Sequence, residues 1–89
     1  PGIYRPGKWG IRIENLSAAV PAGKTAFGDF LKFETLTQCP IDTRCMDVSL
    51  LTEAERDWVN RYHQGVREKL LPRIAVKARH WLIERTQAI

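Results

Sequence analysis

Two glutamates stand where an acidic residue is unusual. Glu14 follows Ile13, and Glu34 follows Phe33, in segments whose patterns predict extended chain. Glutamate is disfavoured inside β-strands, so each is either an exposed edge residue or a ligand or catalyst held on a rigid element. Hard divalent ions prefer oxygen ligands, and a pair of metal ions needs carboxylates that bridge. Two carboxylates are too few for that, so these residues alone indicate at most half of a metal site.

The remaining residue types that could do chemistry give weaker signals. Cys39 and Cys45 do not have the spacing of a CxxC motif or a zinc finger, so we expect two reduced thiols, with a disulfide as the alternative. We expect His63 to make a structural hydrogen bond and His80 to lie on the surface. The sequence contains no glycine-rich phosphate loop, nucleophile elbow or HExxH motif.

Composition restricts the class of protein. The 89 residues suffice for one small domain, and 44% hydrophobic with 27% charged residues is typical of a globular chain rather than a disordered one. The net charge of +4 is spread along the chain among acidic residues, which favours a solvated surface. A nucleic-acid-binding module remains an alternative, because the C-terminal part is rich in arginine. No apolar run approaches the ~20 residues of a membrane span.

The elements that must position the two glutamates are strands. Residues 10–16 alternate apolar and polar side chains, with Arg12 and Glu14 on the polar face, which predicts a strand with an extension over residues 18–20. We expect a loop over residues 1–10 and a turn over residues 21–24. Residues 30–37 form a second predicted strand, with Glu34 on the face opposite Phe33.

Helices are predicted for the second half of the chain. Thr52 and Glu55 form a capping-box pattern that predicts a helix start. The helix that follows has an apolar stripe at helical spacing, made of Trp58, Val59, Tyr62, Val66 and Leu70. Pro72 is expected to open a second helix with a buried face made of Ile74, Ala78, Trp81 and Leu82. The predicted fold class is therefore α+β, with antiparallel strands followed by two helices.

Several motifs, in order along the chain, resemble the Xaa-Pro aminopeptidases (aminopeptidase P) of the M24 metallopeptidase family. The strand-rich part carries PGIY at residues 1–4, GIRIEN at 10–15, FETLT at 33–37 and CPID at 39–42. The helical part resembles the C-terminal extension of the long members through LLT at residues 50–52, WVN at 58–60, YH at 62–63 and WL at 81–82. The resemblance covers essentially the whole chain.

The resemblance implies a piece of the pita-bread fold, a curved antiparallel sheet flanked by helices that holds two divalent metal ions, commonly manganese. On this basis we expect residues 1–38 to be the end of the catalytic sheet. Residues 39–89 would then be the helical C-terminal extension.

The resemblance also implies roles for individual residues. Glu14 matches a glutamate that binds one metal ion and handles the proton of the attacking water, and Glu34 matches the glutamate that bridges both ions. Arg12 is a candidate to orient a ligating carboxylate, with a surface arginine as the alternative. The family's two aspartates and its histidine ligand belong to a region that this chain does not contain, so we expect the chain alone to be inactive. Its substrate-binding residues are unknown.

The function implied for the parent enzyme is hydrolysis of the N-terminal Xaa-Pro bond of peptides. Its expected partner is a peptide with proline in second position. We also expect a cytoplasmic homodimer that binds neither nucleic acid nor membrane. Two alternatives stay open: a non-catalytic dimerisation or interaction module over residues 50–89, anchored by Trp58 and Trp81, and a prolidase-like dipeptidase of the same fold.

Overall fold

The computed structural model describes residues 2–89. Pro1, with which the expected opening turn and the PGIY motif begin, lies outside the described residues. The chain divides into two compact units. The N-terminal unit ends at Thr37, and the C-terminal unit is Gln38–Ile89.

Residues 2–10 do not form the expected loop. Strand β1 (Ile3–Arg5) pairs antiparallel with strand β2 (Trp9–Ile11). The turn between them has Gly7 at φ 70°, a left-handed conformation that glycine adopts without a steric penalty. The Lys8 N–H donates to the Arg5 carbonyl at 2.9 Å. A tight turn therefore closes a short hairpin where the glycines and prolines had indicated irregular chain.

Strands β3 (Ser17–Thr25) and β4 (Gly28–Thr35) form a longer antiparallel hairpin. The turn predicted over residues 21–24 is wrong, because β3 continues through an irregularity between Pro21 and Gly23. The chain reverses at residues 26–27 instead. Proline has no N–H for a ladder, and Gly23 has a φ of 147° that residues with side chains rarely adopt. Such residues interrupt pairing locally and are accommodated by a bulge.

The strand predicted over residues 10–16 forms only at its start, since β2 ends at Ile11 and residues 12–16 have no assigned secondary structure. Leu16 is nevertheless paired: its carbonyl accepts from the Leu36 N–H at 2.8 Å, and its own N–H donates to the Thr37 hydroxyl at 2.8 Å. Pairing of the β3–β4 hairpin therefore extends one residue beyond the strands.

No residue of the N-terminal unit between positions 2 and 37 is buried. Its large apolar side chains are exposed, Phe27 to 95% and Phe33 to 81%. The hairpins are consequently held by their backbone hydrogen bonds, without an apolar core of their own.

The C-terminal unit is helical. Helix α1 (Glu53–Leu70) begins at the predicted capping box: the Thr52 hydroxyl accepts from the Glu55 N–H at 3.3 Å, and the Glu55 carboxylate accepts from the Thr52 N–H at 2.8 Å. Two short 3-10 turns precede it, Thr43–Cys45 and Val48–Leu50.

The predicted apolar stripe of α1 is only partly buried. Val59 and Val66 are in the core, but Trp58 is 46% exposed and stacks on Tyr62 with ring centroids 5.4 Å apart. His63, which is polar, is completely buried. The buried face of α1 is therefore rotated towards His63 relative to the predicted stripe.

Helix α2 (Val76–Arg85) begins at Val76 and not at Pro72. The intervening residues form a turn in which the N–H groups of Arg73 and Ile74 both donate to the Leu70 carbonyl, at 2.8 and 3.0 Å. These bonds close the end of α1 and occupy the residues that would have opened the second helix.

The predicted buried face of α2 is also only partly confirmed. Leu82 is buried, but Trp81 is 53% exposed, and Ile74 and Ala78 are half-buried. Thr86 is buried just after the helix, where its hydroxyl donates to the Leu82 carbonyl at 2.7 Å. Within residues 2–89, neither helix combines the length and apolar character that crossing a membrane requires.

Candidate functional site

Glu14 lies in the segment between β2 and β3, where its carboxylate pairs with a neighbouring cation. The Arg12 guanidinium donates to one carboxylate oxygen of Glu14 and forms an ion pair with it. Both side chains are about half exposed. The contact fixes one oxygen and leaves the second open to another partner, which is the arrangement that an oriented ligand or proton acceptor needs.

Glu34 lies in β4, and its side chain is exposed. It pairs across the hairpin with Ala18, so the two side chains project from the same face. Among the described residues, no hydrogen bond or ion pair engages its carboxylate. Glu34 is therefore a charged group on a rigid element, with both oxygens available to a cation.

Glu14 lies in the segment before β3, and Glu34 lies in β4, which pairs with β3. Ala18, the partner of Glu34, is four residues after Glu14. No group of three or more His, Cys, Asp or Glu within residues 2–89 could hold a metal ion. The donors suit a hard divalent cation in type, but most coordination positions would have to be filled by other ligands.

The structural role expected of His63 is confirmed. Its Nε2 accepts a hydrogen bond from the Ile41 N–H at 3.0 Å, while Nδ1 has no partner within residues 2–89. Burial lowers the pKa of the imidazole below its usual range, and the positive charge of Arg67 acts in the same direction. His80 is exposed, as expected.

Two further polar residues of α1 hold distant segments, and sequence reasoning missed both contacts. The Tyr62 hydroxyl donates to the Cys39 carbonyl at 2.8 Å and accepts from the Cys39 N–H at 3.4 Å. The Asn60 side chain accepts from the Ile89 N–H at 3.0 Å and donates to the Ile89 carbonyl at 3.4 Å. The sequence signal for these contacts was that Asn60 and Tyr62, which can hydrogen-bond, stand beside apolar positions of the predicted helix.

A cavity of about 330 Å³ lies in the C-terminal unit, and sequence reasoning missed it as well. Its wall combines residues 39–42, which we call the 39–42 loop, with residues of the first 3-10 turn and α2. The lining residues are Cys39, Pro40, Ile41, Asp42, Arg44, Trp81 and Arg85.

The charge balance of this cavity is set by its acid and two arginines. The Arg44 guanidinium donates to both carboxylate oxygens of Asp42, at 2.5 to 3.2 Å, and holds the pKa of that carboxyl far below its usual range. Asp42 therefore stays ionised, and Arg44 balances its negative charge. Cys39 and Cys45 are free and exposed, in line with two reduced thiols.

Comparisons with known proteins agree with one another. The family model for the C-terminal region of peptidase M24 matches residues 29–89. A probable Xaa-Pro aminopeptidase P of Coprinopsis cinerea is 45% identical over 94 aligned positions, which cover 100% of this chain and 15% of the relative. Xaa-Pro aminopeptidase 2 of Sus scrofa is 39% identical over 74 positions, covering 83% of this chain and 11% of the relative.

A solved structure is similar over the whole chain. It is the crystal structure of X-prolyl aminopeptidase from Caenorhabditis elegans, described as a cytosolic enzyme with a di-nuclear active site, and it matches with a TM-score of 0.85 and 40% identity over 100% of this chain and 15% of that enzyme. The expected α+β fold is thereby confirmed. This chain spans 11% to 15% of the length of these relatives. It belongs to the M24 peptidase family, as the C-terminal region of an aminopeptidase P.

Proposed function

We propose that the parent enzyme, the longer protein whose C-terminal region this chain forms, hydrolyses the N-terminal Xaa-Pro bond of peptides with the help of two divalent metal ions. The observation that carries this proposal is the similarity over the entire chain, at 40% identity, to an X-prolyl aminopeptidase with a di-nuclear active site. We further propose that the substrate is a peptide with proline in second position and that the enzyme is cytoplasmic.

Glu14 and Glu34 are the residues of this chain proposed to hold the metal ions. Their exposed carboxylates provide the hard oxygen donors that Mn²⁺ accepts, and Glu34 is proposed to bridge the pair. In support, Glu14 lies in the segment that leads directly into β3, the strand that pairs with Glu34 and its neighbours. Because two carboxylates cannot complete two coordination shells, we propose that the chain alone is inactive.

Bound metal ions of this kind supply an acidified water as nucleophile near neutral pH. The proposed role of this chain in the reaction is proton handling. The open oxygen of Glu14 accepts the proton of the attacking water and passes it towards the leaving proline nitrogen. Arg12 holds the other oxygen and so fixes the orientation of the carboxylate. Arg12 is thus a positioning residue in this proposal.

The proposed division of labour assigns residues 1–38 to the end of the catalytic sheet and residues 39–89 to the C-terminal extension. In support, both proposed ligands precede position 38, and the helices follow it. The chain also separates into its two compact units after Thr37.

The test of function uses the parent enzyme loaded with Mn²⁺ and three substrates. These are a longer peptide beginning Ala-Pro, the matched peptide beginning Ala-Ala, and the dipeptide Ala-Pro. We expect release of alanine from the first peptide and little from the second. Cleavage confined to the dipeptide would instead support the prolidase-like alternative. Failure to cleave any of the three would contradict the proposed activity.

A second candidate function is favoured by the exposed tryptophans of the C-terminal unit. Trp58 and Trp81 are 46% and 53% exposed, and exposed aromatic residues are frequent anchors of protein interfaces. We propose that this unit also mediates homodimerisation of the parent. Sedimentation should show a lower mass for the variant with both residues changed to alanine. Val76→Ala, which removes an exposed apolar side chain of the same unit, is the control. An unchanged mass for the double variant would contradict the dimer.

A further inference from the structure

His63 differs from the other titratable groups of the C-terminal unit in being completely buried. Its Nε2 accepts the Ile41 N–H, so the bond requires an imidazole that carries no proton on that nitrogen. Neutral imidazole then carries its proton on Nδ1, which has no partner within residues 2–89. The ring is thus committed to one tautomer by a single backbone contact that joins α1 to the 39–42 loop.

We propose that His63 is an acid-sensitive latch, whose neutral ring holds the 39–42 loop on α1 and whose protonation at Nε2 releases that loop. Once protonated by solvent, Nε2 carries a hydrogen that faces the hydrogen of the Ile41 N–H, so two donors oppose each other and the bond is lost. Both ring nitrogens would then be donors without an acceptor in a buried site, which is costly.

The charges around His63 oppose its protonation in the latched conformation. On α1, Arg67 acts on the charge of the ring and the Tyr62 ring lies 5.8 Å from it. The 39–42 loop carries Cys39 and Asp42, and Arg85 on α2 acts on Asp42. Arg67 is repulsive towards an imidazolium, and the carboxylate of Asp42 is occupied by Arg44. Within residues 2–89, no anion is among the groups that act on the ring, so the imidazolium is more stable where it can reach water.

The released segment is one wall of the cavity in the C-terminal unit. Cys39, Pro40, Ile41 and Asp42 all line it. Tyr62 holds Cys39 through a hydroxyl that donates to the Cys39 carbonyl, a bond in which the His63 ring takes no part. Release therefore begins at Ile41, and it opens the cavity from the side of the loop that follows Cys39.

The test is amide hydrogen exchange of the ¹⁵N-labelled chain at several pH values from neutral down to mildly acidic, corrected for intrinsic exchange, with the His63 ring followed by long-range ¹H–¹⁵N NMR. The Ile41 amide reports the latch. The Ile89 amide is the matched reference. Like the Ile41 amide it donates to a side chain of α1, but its acceptor is Asn60, which does not titrate. We expect the protection of Ile41 to fall by up to roughly tenfold per pH unit as the pH drops from about 6.5, the ordinary pKa of histidine, towards the lowered pKa of the latched ring, and to fall more steeply than that of Ile89.

Two variants complete the design. His63→Gln offers an amide oxygen that can accept from Ile41 without titrating, and should make the protection of Ile41 independent of pH. His80→Gln, a change at an exposed histidine, should behave as the unchanged chain. The proposal is overturned if Ile41 keeps its protection while the ring titrates, if Ile89 loses as much protection as Ile41, or if His63→Gln retains the pH dependence. Should His63→Gln fail to fold, the comparison of Ile41 with Ile89 in the unchanged chain decides.

Discussion

Glu14 has a carboxylate that is both held in one orientation and open to a further partner. One carboxylate oxygen is held by Arg12, and the other is open. A proton acceptor benefits from this combination, because a fixed carboxylate loses less entropy when the reacting geometry forms. The same reasoning separates Glu14 from Glu34, whose carboxylate has no partner among the described residues and is proposed to gain its order from the metal ions.

Substitution of Glu14 by Gln in the parent enzyme should lower kcat by roughly 10²–10⁴-fold, the range typical of a lost general base. Metal content should fall less than activity, since the amide oxygen can still act as a ligand. Steady-state hydrolysis of an Ala-Pro peptide, with metal analysis of the same sample, measures both. Glu53→Gln, at an exposed residue in the first turn of α1, is the control and should be unaffected. Full activity of Glu14→Gln would remove Glu14 from the mechanism.

At the residue scale, sequence could identify chemical type but not distant partners. The motifs selected Arg12, Glu14 and Glu34, yet no sequence pattern pairs His63 with Ile41, which are 22 positions apart. Local contacts such as the Arg12–Glu14 pair arise from neighbouring positions and are therefore foreseeable. Contacts that depend on how loops pack against a helix are decided by tertiary structure.

Among the elements, α1 was the one most clearly predictable, because its start is encoded locally. The capping box joins Thr52 to Glu55 through two reciprocal backbone contacts. It satisfies N–H groups that the first helical turn leaves without partners.

Thr52→Ala should destabilise the C-terminal unit by about 1 kcal/mol, the usual cost of losing an N-cap hydroxyl. Thr52→Ser keeps the hydroxyl and should remain close to the unchanged chain. Urea unfolding followed by far-ultraviolet circular dichroism compares the three proteins. Equal unfolding midpoints for the alanine and serine variants would show that the cap contributes no stability.

The elements whose bounds were misplaced depend on nonlocal pairing or on competing turns. Residues 21–24 have turn-forming composition, but the long β3–β4 pairing carries them as a bulged strand. Pro72 is compatible with a helix start, but Leu70 accepts from Arg73 and Ile74 and keeps that stretch in a turn. In both cases the composition was compatible with more than one local structure, and hydrogen bonds to neighbouring residues determined which structure formed.

The two units differ in what holds them together. Val59, Val66 and Leu82 are buried in the C-terminal unit, whereas residues 2–37 bury no side chain. A chain of this length was expected to form one small core, and that core lies in the helical unit. The exposed apolar side chains of the hairpins are the surface that the remainder of the parent enzyme is proposed to cover.

The stability of the C-terminal unit should fall as pH decreases below about 6.5, the ordinary pKa of histidine. Because burial lowers the pKa of His63 in the folded state, the unfolded chain binds the proton at higher pH, and stability is lost down to the folded-state pKa. One proton gives a slope of at most about 1.4 kcal/mol per pH unit.

Urea unfolding at a series of pH values measures this slope. His63→Gln should remove it, and His80→Gln should retain it. Asp42, Asp47 and Glu55 also have lowered pKa values, but they titrate at more acidic pH. An unchanged slope in His63→Gln would mean that another group titrates in this window.

The most direct test of the central claim is the metal content of the parent enzyme and its Glu34→Gln variant after loading with Mn²⁺, measured by elemental analysis alongside Ala-Pro peptide hydrolysis. Because Glu34 is proposed to bridge both ions, the variant should lose metal and activity together, while Glu53→Gln keeps both. A Glu34→Gln enzyme with full metal content and full activity would contradict the assignment of Glu34 to the metal centre.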